Sequence, residues 1–299
     1  MKKIKLILAT IVCVAGLLLD ASAASSSKKK SSSSSGKSKA KSSQKATPRP
    51  QAFDANGVPI VSAASVVVVD AATGKILHTK NPDAPRPAAS TQKLLTALIV
   101  AEAGNLDKRV VVQASDTWAE PSKLYLKVGE SYTRRQLLEI LLVRSMNDVA
   151  VALARDNAGS VEAFSYKMNA KARDLGARNS WFVNPNGLPA PAQKSNARDM
   201  ACVAIAAYRN PVLRQIVNMR NLTFQYADGR VRTFENTNKL LMRTDYCNGM
   251  KTGYTNAAGK CLIASGRSGK RDVIAVLLGD SPSLIWRDAG ALLTWGLQG

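Results

Sequence analysis

The sequence predicts an α+β fold: a five-stranded antiparallel sheet built from both ends of the chain, flanked by helices, with a helical lobe inserted at about residues 104–220. Three observations predict it. A β-branched pair of strands opens the folded region at 64–79, helical periodicity fills its middle, and three further strands separated by Gly-containing turns follow at 250–279.

Residues 64–70 form a run dominated by Val66 to Val69, and after the Thr73-Gly74 turn a second strand covers 76–79, giving a hairpin. Pro85 and Pro87 break the chain. From 90 to 103, Leu94, Leu95, Leu98, Ile99 and Ala103 fall at helical spacing, so Ser90 stands at the start of a helix. A helix at 133–142 carries Leu137, Leu138, Ile140, Leu141 and Leu142, ends near Arg144, and is followed by another from 148 to 154. Ser145-Met146-Asn147 therefore occupies a helix junction.

Further helices are expected at 161–175 and 197–208, with a turn at Asn184-Pro185-Asn186-Gly187 between them. Residues 222–226 and 230–234 flank Asp228-Gly229 as a hairpin. The strands expected at 250–255, 261–266 and 273–279 precede a closing amphipathic helix at 284–297. An unpaired first hairpin would leave exposed edges, so it is expected to join the late strands in one sheet. Lys251 then falls on a strand facing the Ser90 helix.

The ends of the chain add context. Residues 1–23 have the form of a secretory signal: Lys2, Lys3 and Lys5, then a mostly apolar run, then Ala21-Ser22-Ala23 as a cleavage site. An exported protein is expected, located in the periplasm or extracytoplasmic envelope, with no transmembrane segment in the mature chain. Residues 24–52 are a Ser/Lys-rich tail with seven lysines and no acids before residue 47, too poor in apolar surface to fold. The whole chain carries +21. In an exported protein that charge points to anionic envelope polymers or lipid headgroups rather than nucleic acid, with a solvated spacer as the alternative reading of the tail. The remaining residues, 53–299, suffice for one large catalytic domain.

Candidate chemistry lies in three short motifs: Ser90-Thr91-Gln92-Lys93, Ser145-Met146-Asn147 and Lys251-Thr252-Gly253. The low-complexity tail generates Ser-x-x-Lys by accident, but beyond residue 45 only Ser90 has it. Residues three apart share a helical face, so Lys93 can direct its amine at the Ser90 hydroxyl. Taken singly, each motif has a plainer reading, with Ser90 and Ser145 as helix caps and Asn147 filling a turn. The single histidine, His78, sits on the second strand of the hairpin, which disfavours a Ser-His-Asp triad and a histidine-rich zinc site. No metal and no cofactor are expected. Cys202, Cys247 and Cys261 lie far from any histidine, so a cysteine nucleophile lacks a base; Cys247 and Cys261 flank the third motif and could pair as a disulfide.

Together the motifs match the Ser-x-x-Lys, Ser-x-Asn and Lys-Thr-Gly signature of penicillin-recognising serine enzymes. With their surroundings, and with Phe182 to Leu188, Ala197 to Ala201 and Asn236 to Leu241, the chain resembles the low-molecular-mass penicillin-binding proteins, specifically serine-type D-alanyl-D-alanine carboxypeptidases. The resemblance runs from about residue 64 to residue 297 and implies a β-lactamase/transpeptidase-like fold. It further implies removal of the terminal D-Ala from peptidoglycan stem peptides through a serine acyl-enzyme that β-lactams also form.

In that scheme Ser90 is the nucleophile, and Lys93 its base, with its pKa lowered by Lys251 and desolvation. Ser145 relays a proton, Asn147 positions the peptide, and Lys251, Thr252 and Gly253 bind substrate. The backbone N–H groups of Ser90 and Tyr254 form the oxyanion hole. Two departures stand out. Asn186 replaces the family's usual histidine, an exchange expected to affect a loop beside the site. The chain also ends after the catalytic domain, so the family's C-terminal amphipathic anchor is not expected. Rival readings are a D-Ala endopeptidase that cuts cross-links, a class A β-lactamase, which needs a glutamate between the second and third motifs where Glu162 is the only one before Glu235, and an inactive wall-binding module.

Overall fold

A computed structural model describes residues 50–299. The expected signal segment and all but the end of the basic tail lie outside the described residues. Strands β1 (Ser65–Asp70) and β2 (Ile76–Lys80) form the first hairpin. A 3-10 turn, Ala89–Gln92, leads into α1 (Lys93–Glu102). Two short strands, β3 (Arg109–Val111) and β4 (Ser131–Thr133), pair with each other. The lobe continues through α2 (Arg134–Arg144), α3 (Asn147–Ala158), α4 (Val161–Asp174), α5 (Ala197–Arg209) and α6 (Pro211–Val217). A hairpin of β5 (Asn221–Gln225) and β6 (Val231–Glu235) and a short α7 (Leu240–Arg243) precede β7 (Cys247–Thr255), β8 (Gly259–Ser268), β9 (Arg271–Asp280) and α8 (Ile285–Gln298).

The main sheet is antiparallel and ordered β2-β1-β9-β8-β7, so the two chain ends meet where β1 pairs with β9. This is the expected five-stranded sheet. Its central strands are buried on both faces, which explains why β1 is a continuous valine run rather than an alternation. Val67 and Val69 face the helical lobe, whereas Val66 and Val68 face α8. Strand β9 repeats the division, with Ile274, Val276 and Leu278 toward the lobe and Val273, Ala275 and Leu277 toward α8.

Helix boundaries follow local chemistry. Thr133 caps α2 by accepting from the Gln136 N–H while the Gln136 side chain accepts from Thr133 N, a reciprocal box. Asn196 caps α5, and Asn210 with Pro211 opens α6. At the end of α2, Ser145 adopts a left-handed conformation with φ 71°, which stops the helix one residue before the extended Met146 and restarts it at Asn147. The second motif is thereby folded into a junction.

Two expectations change. Ser90 does not begin the α-helix but sits in the 3-10 turn that precedes it, and Lys93 is the first α-helical residue. The lone-turn geometry matters, because three residues per turn eclipse positions i and i+3 and bring Lys93 directly over Ser90. Cys247 and Cys261 do not pair. Cys261 stands opposite Gly253, six residues along β7 from Cys247, a separation of roughly 20 Å. The two thiols also belong to opposite core layers, and both are free.

Helix α8 closes on the sheet through Gly296, where a Cβ would come within 2.9 Å of Val273 Cγ1. Replacing Gly296 by Leu gains about 1 kcal/mol of helix propensity but overpacks this contact by about 1–3 kcal/mol or more. Overpacking wins. Gly296→Leu is therefore expected to lower the urea midpoint, and a variant as stable as the parent would show that α8 can shift freely on the sheet.

Candidate active site

The site assembles around the Ala89–Gln92 turn. Gly253 of β7 passes so close that a Cβ there would lie 2.9 Å from Ser90 N and 3.1 Å from Thr91 N. Gly187 presses from another side with φ +84°, and a Cβ there would lie 2.1 Å from Ala89 O. Both positions demand glycine, the second for its backbone conformation as well as for space. The nucleophile turn is thus clamped between β7 and the loop that follows α4.

That loop is tied down by side chains whose role the sequence reading missed. Gln92 Nε2 donates to Asn184 O at 2.6 Å, and Thr96 Oγ1 donates to Pro185 O at 2.7 Å. Asn184 Oδ1 accepts from Gly187 N, and Asn186 Oδ1 accepts from Leu188 N. The Asn-Pro-Asn-Gly string signals a turn. Only the fold shows which group the turn delivers: the Asn186 carbonyl, 2.6 Å from Lys93 Nζ and 3.3 Å from Ser90 Oγ. The loop was expected to lie beside the site, yet its main chain touches both reactive groups. The Asn186 side chain bonds Leu188 instead.

Lys93 is fully buried. Its Nζ lies 2.8 Å from Ser90 Oγ, 2.8 Å from Asn147 Oδ1 and 2.6 Å from Asn186 O. Two of these three neighbours are carbonyl oxygens that can only accept, and the third is a hydroxyl that can also donate. Lys93 Nζ donates to all three oxygens, and the Ser90 hydroxyl in turn donates to Asn186 O, so the contacts fit an ammonium as well as an amine. Desolvation, and then the charge of Lys251, push the Lys93 pKa well below its ordinary value. Burial and the neighbouring charge thus favour the neutral form of Lys93.

Lys251 is also fully buried, with its Nζ 3.0 Å from Thr252 O. Burial lowers its pKa to about 7. Thr252 Oγ1 donates to Thr237 Oγ1 at 2.7 Å, and Thr237 N donates to Val143 O at 3.1 Å, which ties β7 to the end of α2. Asn147 is held by its Nδ2 donating to Pro121 O and Glu120 O. The next residue, Asp148, accepts from the N–H groups of Leu124, Tyr125 and Leu126 and so pins the segment that walls this side of the cleft.

Ser90, Ser145, Asn147, Thr252, Gly253 and Tyr254 all line one cleft of about 920 Å³. The structure therefore brings the three sequence motifs together. Ser145 is half-buried in that cleft, and its hydroxyl makes no hydrogen bond among the described residues. Tyr254 is the exposed lip of β7, with Lys260 Nζ 4.6 Å from its ring centroid. His78 lies elsewhere, packed edge-on against Trp295 on β2, and burial lowers its pKa. The arrangement sets an amine in contact with a hydroxyl, beside a second buried lysine and an edge strand whose alternate N–H groups are not needed by the sheet.

Known proteins share this framework. The sequence pattern described as D-alanyl-D-alanine carboxypeptidase matches residues 52–282. Over 250 residues the chain is 38% identical to the D-alanyl-D-alanine carboxypeptidase DacB2 of Mycobacterium tuberculosis, covering 81% of this chain and 85% of that protein. It is 34% identical to the D-alanyl-D-alanine endopeptidase of Escherichia coli over 243 residues, 79% and 78% of the two chains. Among solved structures, a D-alanyl-D-alanine carboxypeptidase from Mycobacterium tuberculosis superposes with a TM-score of 0.77 at 35% identity, covering 81% of this chain and 93% of that one.

Burial of the lysines has a consequence for stability. Unfolding returns Lys251 from about 7 to its ordinary 10.5, so between these values the unfolded chain binds more protons than the folded one. Stability from this source is full above the unfolded value and is lost as pH falls through about 7. Lys251→Met should remove up to about 1.4 kcal/mol per pH unit from the rise in unfolding free energy between pH ~7.5 and pH ~9.5. Urea titrations across that window measure it, and an unchanged slope would mean that the Lys251 amine reaches solvent.

Proposed function

The chain belongs to the D-alanyl-D-alanine carboxypeptidase family and is a serine-type D-Ala-D-Ala carboxypeptidase; we propose that Ser90, Lys93 and Ser145 carry its chemistry and that peptidoglycan stem peptides are its substrate. The contact between Ser90 Oγ and a fully buried Lys93 amine is the observation that supports these roles best.

The Ser90 oxygen attacks the carbonyl carbon of the penultimate D-Ala, and the Ser90 proton passes to the Lys93 lone pair. The negative charge that develops on the carbonyl oxygen is met by the N–H groups of Ser90 and Tyr254; the close packing of Gly253 on the Ser90 N–H supports this reading. Collapse of this intermediate breaks the peptide bond. Terminal D-Ala leaves as an amine, taking a proton by way of Ser145. Water then attacks the acyl-enzyme, again with Lys93 as base, and releases the shortened peptide. Asn147 orients the peptide, and Lys251 with Thr252 receives its terminal carboxylate. A penicillin ring enters the same first half-reaction and forms the same ester at Ser90.

The family and its reaction support a location at the cell wall, outside the cytoplasm. The N-terminal signal and the periplasm as compartment belong to this proposal, as does a tethering role for the basic tail toward anionic envelope polymers or lipid headgroups. No helix among the described residues is long and apolar enough to cross a membrane. The similarity to the Escherichia coli endopeptidase supports a second reading for the same site, cleavage of D-Ala cross-links.

Labelled penicillin is expected to acylate Ser90, and Ser90→Ala to lose both the label and D-Ala release. Lys93→Arg places a cation that cannot give up a proton near neutrality, so acylation should fall by several orders of magnitude. Label on Ser90→Ala at another serine, or near-normal acylation of Lys93→Arg, would remove the respective residue from the mechanism. Mass analysis of a muropeptide digest separates the two substrates: loss of one alanine marks the carboxypeptidase, and resolved dimers mark the endopeptidase.

A further inference from the structure

Five cations line the cleft around Ser90: Lys123 and Arg144 on the lobe side, Arg232 on β6, Lys239 before α7, and Lys260 on the β7–β8 hairpin. Glu235 is the one acid among the lining residues. None of the five forms an ion pair among the described residues, although eleven other pairs are present. Three are spread over aromatic faces instead: Arg232 lies 4.6 Å from the Phe234 ring, Lys260 4.6 Å from Tyr254 and Lys123 5.9 Å from Tyr125. Arg144 and Lys239 are held near each other, because the Thr237 N to Val143 O hydrogen bond joins their two segments.

Unpaired cations of one sign gathered around one cleft focus a positive potential on whatever enters. A single terminal carboxylate does not account for it, since that group is assigned to Thr252, which lines the cleft, and to Lys251, fully buried beside it. We infer that the rim cations, Arg144 and Arg232 foremost, are specificity residues that select acyl-donor peptides carrying a further carboxylate upstream of the scissile bond. This inference rests on the carboxypeptidase reading of the same site. Arg144, Arg232 and Lys239 are exposed and Lys123 and Lys260 half-buried; all act through a screened field, so they set affinity for the peptide and touch no reacting atom.

Two labelled peptides ending in D-Ala-D-Ala, identical except for glutamate or glutamine one residue upstream of that pair, test it. Fluorescence anisotropy with the Ser90→Ala protein measures their binding without turnover. At about 20 mM salt the acidic peptide should bind about tenfold more tightly, and the gap should close toward unity at about 300 mM. In the Ser90→Ala protein that also carries Arg144→Gln and Arg232→Gln, the low-salt preference should shrink to about threefold or less. Equal binding of the two peptides at low salt overturns the inference. So does a tenfold preference that survives both neutralisations. Release of D-Ala from either peptide by the intact enzyme tests the carboxypeptidase reading separately, so the two ideas fail in different ways.

Discussion

Two lysines, Lys93 and Lys251, are buried completely without a carboxylate to pair with, and the rest of the site is arranged to make that tolerable. Burying an unpaired ammonium costs several kcal/mol, and the cheapest escape is to give up the proton. A neutral amine still needs partners for its N–H groups, which Asn147 Oδ1 and Asn186 O provide at Lys93. The same escape leaves a lone pair against the Ser90 hydroxyl. Reactivity here is the by-product of a desolvation problem solved with carbonyls rather than with charge.

Those carbonyls arrive from distant parts of the chain, so the site depends on the whole topology. Asn147 comes from the helix junction, Asn186 from the loop after α4, and Gly253 from the outermost strand of a sheet whose other edge was laid down before residue 81. A glycine at 253 and another at 187 let two backbones close on the nucleophile turn. Any side chain there would hold Ser90 away from its neighbours. The long-range pairing of β1 with β9 is therefore as much a part of the site as the lysine, because without it β7 has no sheet to belong to.

Much of this was legible in the sequence. Val66 to Val69, the leucine spacing of α1 and α2 and the Gly-containing turns between β7, β8 and β9 announce their elements through periodicity, and the three motifs announce the chemistry. What escaped notice has a common physical origin. The Asn186 contribution is a backbone carbonyl, which every residue possesses and which only a specific turn can aim. The 3-10 turn at Ser90 differs from an α-helix by one residue in the hydrogen-bond ladder, a distinction that leucine spacing does not encode. Strands β3 and β4 are three residues each, too short for any period to emerge. The cysteines looked close because only fifteen residues span them, counting both ends, but the β7–β8 register sets them far apart on opposite faces.

Substrate charge completes the electrostatic logic of the site. In the proposed complex a terminal carboxylate approaches Lys251, and an adjacent negative charge favours the ammonium form of that amine. Lys251 starts from a pKa of about 7, so a modest stabilisation is enough to leave it protonated near neutrality. Its positive charge then acts on Lys93, where Lys251 already contributes to the lowered pKa. Binding of the anion thus charges one lysine and, through like-charge repulsion, holds the other neutral. In the proposed reaction the carboxylate of the substrate reinforces the neutral state of Lys93 that burial already favours.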